Sequence, residues 1–132
     1  NALGVCTSAC ESALNLARSR TQGGKPLLEQ QMVQLKIGRM NMLTEALRSY
    51  VLRVAWEHDQ KLPSTNAGFV MNFSTDVIQE VTQLNMELHG AAGFTMDAHA
   101  NKLVRDGIIW THLAGDAVQR MKVVRRMAKG TK

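Results

Sequence analysis

Residues 27–60 read LLEQQMVQLKIGRMNMLTEALRSYVLRVAWEHDQ, and this stretch decides the fold class. It is the longest and least interrupted segment of the chain, and at ~1.5 Å of rise per residue it predicts a helix about 50 Å long. Its apolar residues fall on two neighbouring stripes. One runs through Leu28, Met32, Leu35, Met42 and Tyr50, the other through Val33, Ile37, Met40, Leu47, Val51 and Val54. A single core needs one stripe, so the second side predicts a contact with something else, such as a partner subunit.

Working outward, Ala2 to Arg20 is a run of good helix formers with Val5, Ala9, Ala13, Leu16 and Arg20 at helical spacing. It stops at Gln22-Gly23-Gly24, and Pro26 restarts a helix where its missing N–H does no harm. Downstream, Leu62-Pro63-Ser64-Thr65 predicts a turn and helix start. The next helix carries Phe69, Phe73, Val77, Val81, Leu84 and Leu88. Gly90 and Gly93 end it. A shorter helix follows from about Ala98 to Trp110 with Asp97 as its expected cap, Gly115 breaks the chain, and Asp116 starts a basic helix to about Ala128. No stretch alternates long enough to read as a strand. Short connections between successive helices predict an all-α, antiparallel up-and-down helical bundle of four main helices plus a short one, forming a single domain over residues 1–132.

Composition agrees. The 132 residues are 45% hydrophobic, with two prolines and eight methionines, which suits helix packed on helix. No apolar run approaches the ~20 residues of a membrane span. The first residues, Asn1 to Val5, lack the layout of a signal peptide, and an intracellular chain is expected. Cys6 and Cys10 lie one turn apart on one helix, so buried free thiols are expected rather than a bridge. The net charge of +5 gathers late, at Arg120, Lys122, Arg125, Arg126, Lys129 and Lys132. A solvated face accounts for it, and an anionic cofactor is the sharper alternative. Nucleic acid is disfavoured because no aromatic residue is interleaved for base stacking.

Self-contained catalysis is hard to find. In Glu57-His58-Asp59, consecutive side chains diverge by ~100° around a helix and cannot converge on a metal. The histidines at 58, 89, 99 and 112 have no metal-ligand spacing, and no nucleophile elbow, phosphate-binding loop or carboxylate pair occurs.

The connections say more. Arg20-Thr21-Gln22-Gly23-Gly24-Lys25-Pro26-Leu27-Leu28-Glu29-Gln30-Gln31 resembles the stretch Arg-x-x-Phe-Gly-Lys-Pro-(Leu/Ile)-x-x-x-Gln of acyl-CoA dehydrogenases, which joins the first two helices of their C-terminal domain. Glu87 to Phe94 resembles the family's glycine turn, Lys102-Leu103-x-Arg105-Asp106-Gly107-x-Ile109 its Lys-Leu-x-Arg-Asp-Ala-x-Ile, and Gln119-Arg120 its closing Ile-Gln-Arg. The four lie in family order at nearly ungapped spacing over essentially the whole chain.

The resemblance implies a role. In the family these turns reach the adenosine-diphosphate half of a FAD held by the neighbouring subunit. Arg20 matches the arginine, whose fork suits a pyrophosphate. Gln22, Gln30 and Gln31 match polar contacts, and His89, Gly90 and Gly93 match the glycine turn, where backbone N–H groups approach the cofactor. The structural alternatives are a surface arginine at a helix end and an ordinary glycine cap. Arg105-Asp106 is read as an ion pair or cap holding the short helix.

Departures from the family pattern matter as much. Gly23 stands where the family usually has Phe, and Ala91 replaces the second glycine. Many members carry a Glu before the glycine matched by Gly115, the base that removes the α-proton of the acyl thioester. Here Ala114, or Leu113 on a one-residue shift, occupies that place, and neither can take a proton, so no catalytic residue is assigned. Asp116 comes two residues late and reads as a cap. In some relatives the base lies on the helix upstream.

The expectation is therefore a fragment of an FAD-dependent flavoprotein that oxidises an acyl-CoA at the α,β bond. Asn1 matches the middle of the family's first C-terminal-domain helix. The domain would supply cofactor contacts and an oligomer surface, as a homo-oligomer (dimer or tetramer) or in a hetero-oligomer. It is placed in the cytoplasm, or the mitochondrial matrix in a eukaryote. The rival readings are a non-catalytic partner subunit that has lost its base and, lower, a basic helical nucleic-acid binder with salt-sensitive affinity.

Overall fold

The computed structural model describes residues 1–62 and 66–129, with the backbone alone at Ala114. The expected turn at Leu62-Pro63-Ser64-Thr65 and the terminal Lys132 fall wholly or partly outside that range. Five α-helices carry the fold: α1 (Ala2–Ser19), α2 (Gln31–Asp59), α3 (Asn66–His89), α4 (His99–Ala114) and α5 (Ala117–Ala128). The first four run up, down, up and down. α1 touches α2, α3 and α4, while α5 packs mainly on α3. The all-α bundle is thus the observed class, with α5 rather than α4 as the shortest helix.

The long segment behaves largely as its stripes require. Val33, Ile37, Met40 and Leu47 are buried, whereas Met32, Leu35 and Met42 are about two-thirds exposed. α1 buries Ala2, Cys6, Ala9, Cys10, Ala13 and Ala17, small residues that let its neighbours come close. The expected stripe there is turned by about one residue. Val5 and Leu16 are half-buried and Arg20 is exposed.

α3 departs further. Val77 and Val81 are buried, but Phe69, Phe73, Leu84 and Leu88 sit only half-buried at its flanks. The deepest positions include Ser74, Thr75, Thr82 and Asn85. Hydroxyls make this possible by bonding back into their own helix. Ser74 Oγ donates to the Met71 carbonyl (2.7 Å) and Thr82 Oγ1 to the Ile78 carbonyl (2.7 Å). Ser74 Oγ also accepts from Trp110 Nε1 of α4 at 2.9 Å.

Both cysteines are free and buried. Burial, followed by the neighbouring Cys10, pushes the Cys6 thiol up to about 12. Burial also raises Cys10, against a lowering contact from Thr44. Because the unfolded thiols ionise at their ordinary value, this contribution to stability is intact below that value. It is lost as pH rises through the folded one.

Several local expectations are corrected. Pro26 does not open α2. It lies in a two-residue strand, β2 (Lys25–Pro26), paired antiparallel with β1 (Thr21–Gln22), and a 3₁₀ turn at Leu27–Glu29 precedes α2. α4 continues to Ala114, four residues beyond the expected end, and Ala98 rather than Asp97 is its cap, with no side-chain bond. Asp97 sits one residue too early. Asp106 pairs with Lys102 one turn back, not with its neighbour Arg105, because adjacent side chains diverge around a helix.

Asp116 does cap α5, accepting from the Gln119 N–H at 2.8 Å. Asp116→Ala is expected to cost about 1 kcal/mol of helix stability. The check is a loss of helical ellipticity well below the main thermal transition; an unchanged melting profile would contradict the cap's role.

Candidate functional site

The connection α1–α2 and the turn after α3 lie toward the same end of the bundle. The Leu27 N–H donates to the Arg20 carbonyl (2.9 Å), and Gln30 Nε2 donates to the Gln22 carbonyl (3.1 Å), folding the hairpin against the start of α2. Lys36 pairs with Glu87 at 2.8 Å, which ties the second turn of α2 to the last turn of α3. Ser12 of α1 lies 3.4 Å from His89 Nε2, and Ser8 2.9 Å from His99 Nε2 at the start of α4.

Two glycines shape the hairpin. Gly23 and Gly24 have φ of +65° and +78°, the paired left-handed residues of a two-residue turn that suits the strand twist. Space is open around both, so the backbone conformation alone demands glycine. The flanking Arg20, Thr21, Gln22 and Lys25 are all exposed. Among the described residues neither Arg20 nor Lys25 has an ion-pair partner. Gln30 is spent on the Gln22 carbonyl, while Gln31 opens α2 exposed to solvent. From Gln31 an open groove of about 640 Å³ runs along α2 past Gln34, Leu35, Gly38, Arg39 and Met42.

The second turn is held from within. α3 ends at His89, and Gly90 turns the chain with φ of +60°. Gly93 is buried, and a Cβ there would lie 2.8 Å from His89 Cβ and 2.9 Å from Met86 Sδ. His89 Nδ1 donates to the Asn85 carbonyl at 2.9 Å, since a carbonyl can only accept. In the neutral ring Nε2 is then the acceptor for the Ser12 hydroxyl. The imidazole thus clasps α3 to α1, and Phe94 and Met96 stand exposed beside it. Sequence reading missed Ser8 and Ser12. Two serines one helical turn apart on α1 were the available signal, and only the packing of α1 on α3 and α4 gives it meaning.

Leu113 to Asp116 lies elsewhere, at the far end of α4, about 20 Å along α3 from the His89 turn. Leu113 is exposed and Ala114 ends α4, its side chain outside the described set. Gly115 is pressed onto α3, where an added Cβ would fall 2.0 Å from Thr75 Oγ1 and 3.2 Å from the Met71 carbonyl. The Asp116 carboxylate is engaged as the cap of α5.

Comparison with known proteins bears on this arrangement. Residues 1–128 match the family model described as acyl-CoA dehydrogenase, C-terminal domain. The probable acyl-CoA dehydrogenase YngJ of Bacillus subtilis is 26% identical over 97% of the chain and 34% of its own length. The 3-sulfinopropanoyl-CoA desulfinase of Paraburkholderia xenovorans is 30% identical over 98% of the chain and 32% of its own length. Among solved structures, butyryl-CoA dehydrogenase from Megasphaera elsdenii superposes with a TM-score of 0.90 at 26% identity, covering 96% of this chain and 34% of that one. The chain therefore spans about a third of the length of the relatives it matches. With its helix order, connections and family match in agreement, the chain belongs to the acyl-CoA dehydrogenase family and corresponds to that family's C-terminal domain.

Proposed function

We propose that this domain serves an intracellular flavoprotein that oxidises an acyl-CoA thioester at its α,β bond with FAD, contributing cofactor contacts across a subunit interface. The observation that supports this reading best is convergence. The Arg20–Gln31 connection and the His89–Gly93 turn, distant in sequence, share one end of the bundle.

The donor set fits the adenosine-diphosphate half of FAD. Arg20 offers an unpaired guanidinium fork for the pyrophosphate, Gln22 and Gln31 offer exposed amides, and Gly23 and Gly24 keep side chains out of the approach. Gln30 contributes by holding the hairpin, and His89, Gly90 and Gly93 by fixing the neighbouring turn. FAD itself supplies the acceptor for the hydride leaving the β-carbon. The α-proton must leave to a base outside positions 113 and 114, whose side chains carry no basic group.

In the full-length flavoprotein carrying this domain, Arg20→Ala is expected to weaken FAD binding at least about tenfold, the loss of one charge-assisted contact to a phosphate. Apoprotein stability should change by less than about 0.5 kcal/mol, because the side chain is exposed. Equilibrium FAD titration checks the first half and urea denaturation of the apoprotein the second, and unaltered affinity would remove Arg20 from the site. Anaerobic addition of acyl-CoA thioesters of graded length should bleach the flavin.

A second reading rests on the absence of an acid at Leu113-Ala114. On it, the protein is a partner subunit in which no α-proton is removed. A flavin that stays yellow with every thioester supports this alternative.

A further inference from the structure

α5 has a wider apolar arc than its contact with α3 covers. Val123 is its one buried residue, seated against Gly68 of α3, and Arg120 reaches Asp76. Val124, Ala117, Ala128 and Met121 fall between about 100° and 160° round the helix from Val123, so they point away from that contact. All four are exposed, Val124 by 63% and Met121 by 49%. A shallow hollow of about 350 Å³ lies along this arc, lined by Met121 and Val124 together with Arg120 and Arg125. Met127, also exposed, extends the same apolar edge.

The opposite arc is cationic. Arg125, Lys129 and Lys122 fall between about 200° and 260° from Val123, with Val118 the one apolar residue among them. From Ala117 to Ala128 the helix carries Arg120, Lys122, Arg125 and Arg126 and no acid. Arg120 is engaged by Asp76, but among the described residues neither Lys122 nor Arg125 has an ion-pair partner.

Such a helix calls for two things at once. Its valine and methionine side chains need an apolar medium, and the arginines at their border need anions at the edge of that medium. A groove on another protein would have to match both in shape. A bilayer with negatively charged headgroups supplies both without matching, hydrocarbon beneath Met121 and Val124 and phosphates level with Arg120 and Arg125. We propose that α5 lies flat on an anionic lipid surface, its exposed apolar arc in the acyl boundary and Lys122, Arg125 and Lys129 among the headgroups. At about 18 Å the helix rests on the surface without crossing it, and among the described residues no helix is long and apolar enough to cross a membrane. This role is independent of the flavin contacts.

Co-sedimentation of the full-length protein with vesicles tests it. Vesicles of phosphatidylcholine containing about 30% phosphatidylglycerol should bind at least about tenfold more tightly than phosphatidylcholine alone, and the difference should shrink as salt rises. Lys122→Glu with Arg125→Glu should lower the affinity at least about tenfold through charge. Met121→Ser with Val124→Ser should lower it at least about threefold with every charge intact, a loss that adsorption by charge alone does not predict. All four side chains are exposed, so circular dichroism and FAD titration of both pairs should match the parent, which keeps this result apart from a failure of the hairpin contacts. Equal binding to neutral vesicles, full binding by the serine pair, or no sedimentation with any vesicle would overturn the proposal; the last outcome would mean that protein, not lipid, covers this face.

Discussion

Met40→Ala is expected to lower the unfolding free energy by about 2–5 kcal/mol, enough to threaten a domain whose total stability is of that order. Met40 is fully buried on the inward stripe of α2. One turn later that stripe meets α1, where Thr44 Oγ1 lies 3.4 Å from Cys10 Sγ. On the α1 side the buried residues are Ala9, Cys10 and Ala13, which have no long side chains to swing into a void, and α3 packs on α2 as well. A site that cannot collapse keeps its cavity, which places the cost toward the upper part of the range. Urea denaturation should show a lower midpoint with an unchanged slope. A loss below about 1 kcal/mol would mean that α2 is not packed as described.

Gly115→Ala is the second large effect, and it comes from too much material instead of too little. The added methyl would meet Thr75 Oγ1 at 2.0 Å, Thr75 Cβ at 2.9 Å and the Met71 carbonyl at 3.2 Å. The hydroxyl can rotate away, but the other two atoms cannot, so the joint between α4 and α5 must lift from α3. A cost of about 1–3 kcal/mol follows. Thr75→Ala in the same chain should recover only part of it, since Cβ and the carbonyl remain. Full recovery would show that the hydroxyl was the sole obstacle.

These two sites mark what the sequence could and could not convey. Met40, with Val33, Ile37 and Leu47, was legible because apolar periodicity on α2 coincides with burial. The exposure of Met32, Leu35 and Met42 follows from the second stripe. α3 was less legible because hydroxyls bonded to their own helix carry Ser74 and Thr82 inside, and a hydrophobic pattern does not register them. Two-residue strands are too short to alternate, and only the Gly23-Gly24 pair hinted at the hairpin. Gly115 read as a break, while its closeness to Thr75 is a property of packing. The candidate contacts came from motif order, and convergence of the two turns needed the tertiary arrangement.

Among the described residues, α5 rests mainly on α3. Val123, wedged where a side chain on Gly68 would collide with it, is its one buried residue, and Arg120 reaches Asp76 of α3. A helix with one buried side chain is expected to open ahead of the four-helix body, and hydrogen exchange checks it. Its amide hydrogens are expected to trade with solvent on a faster clock than those of α2 and α3. That clock is set by the Asp116 cap and the Val123 wedge, not by the depth of the core.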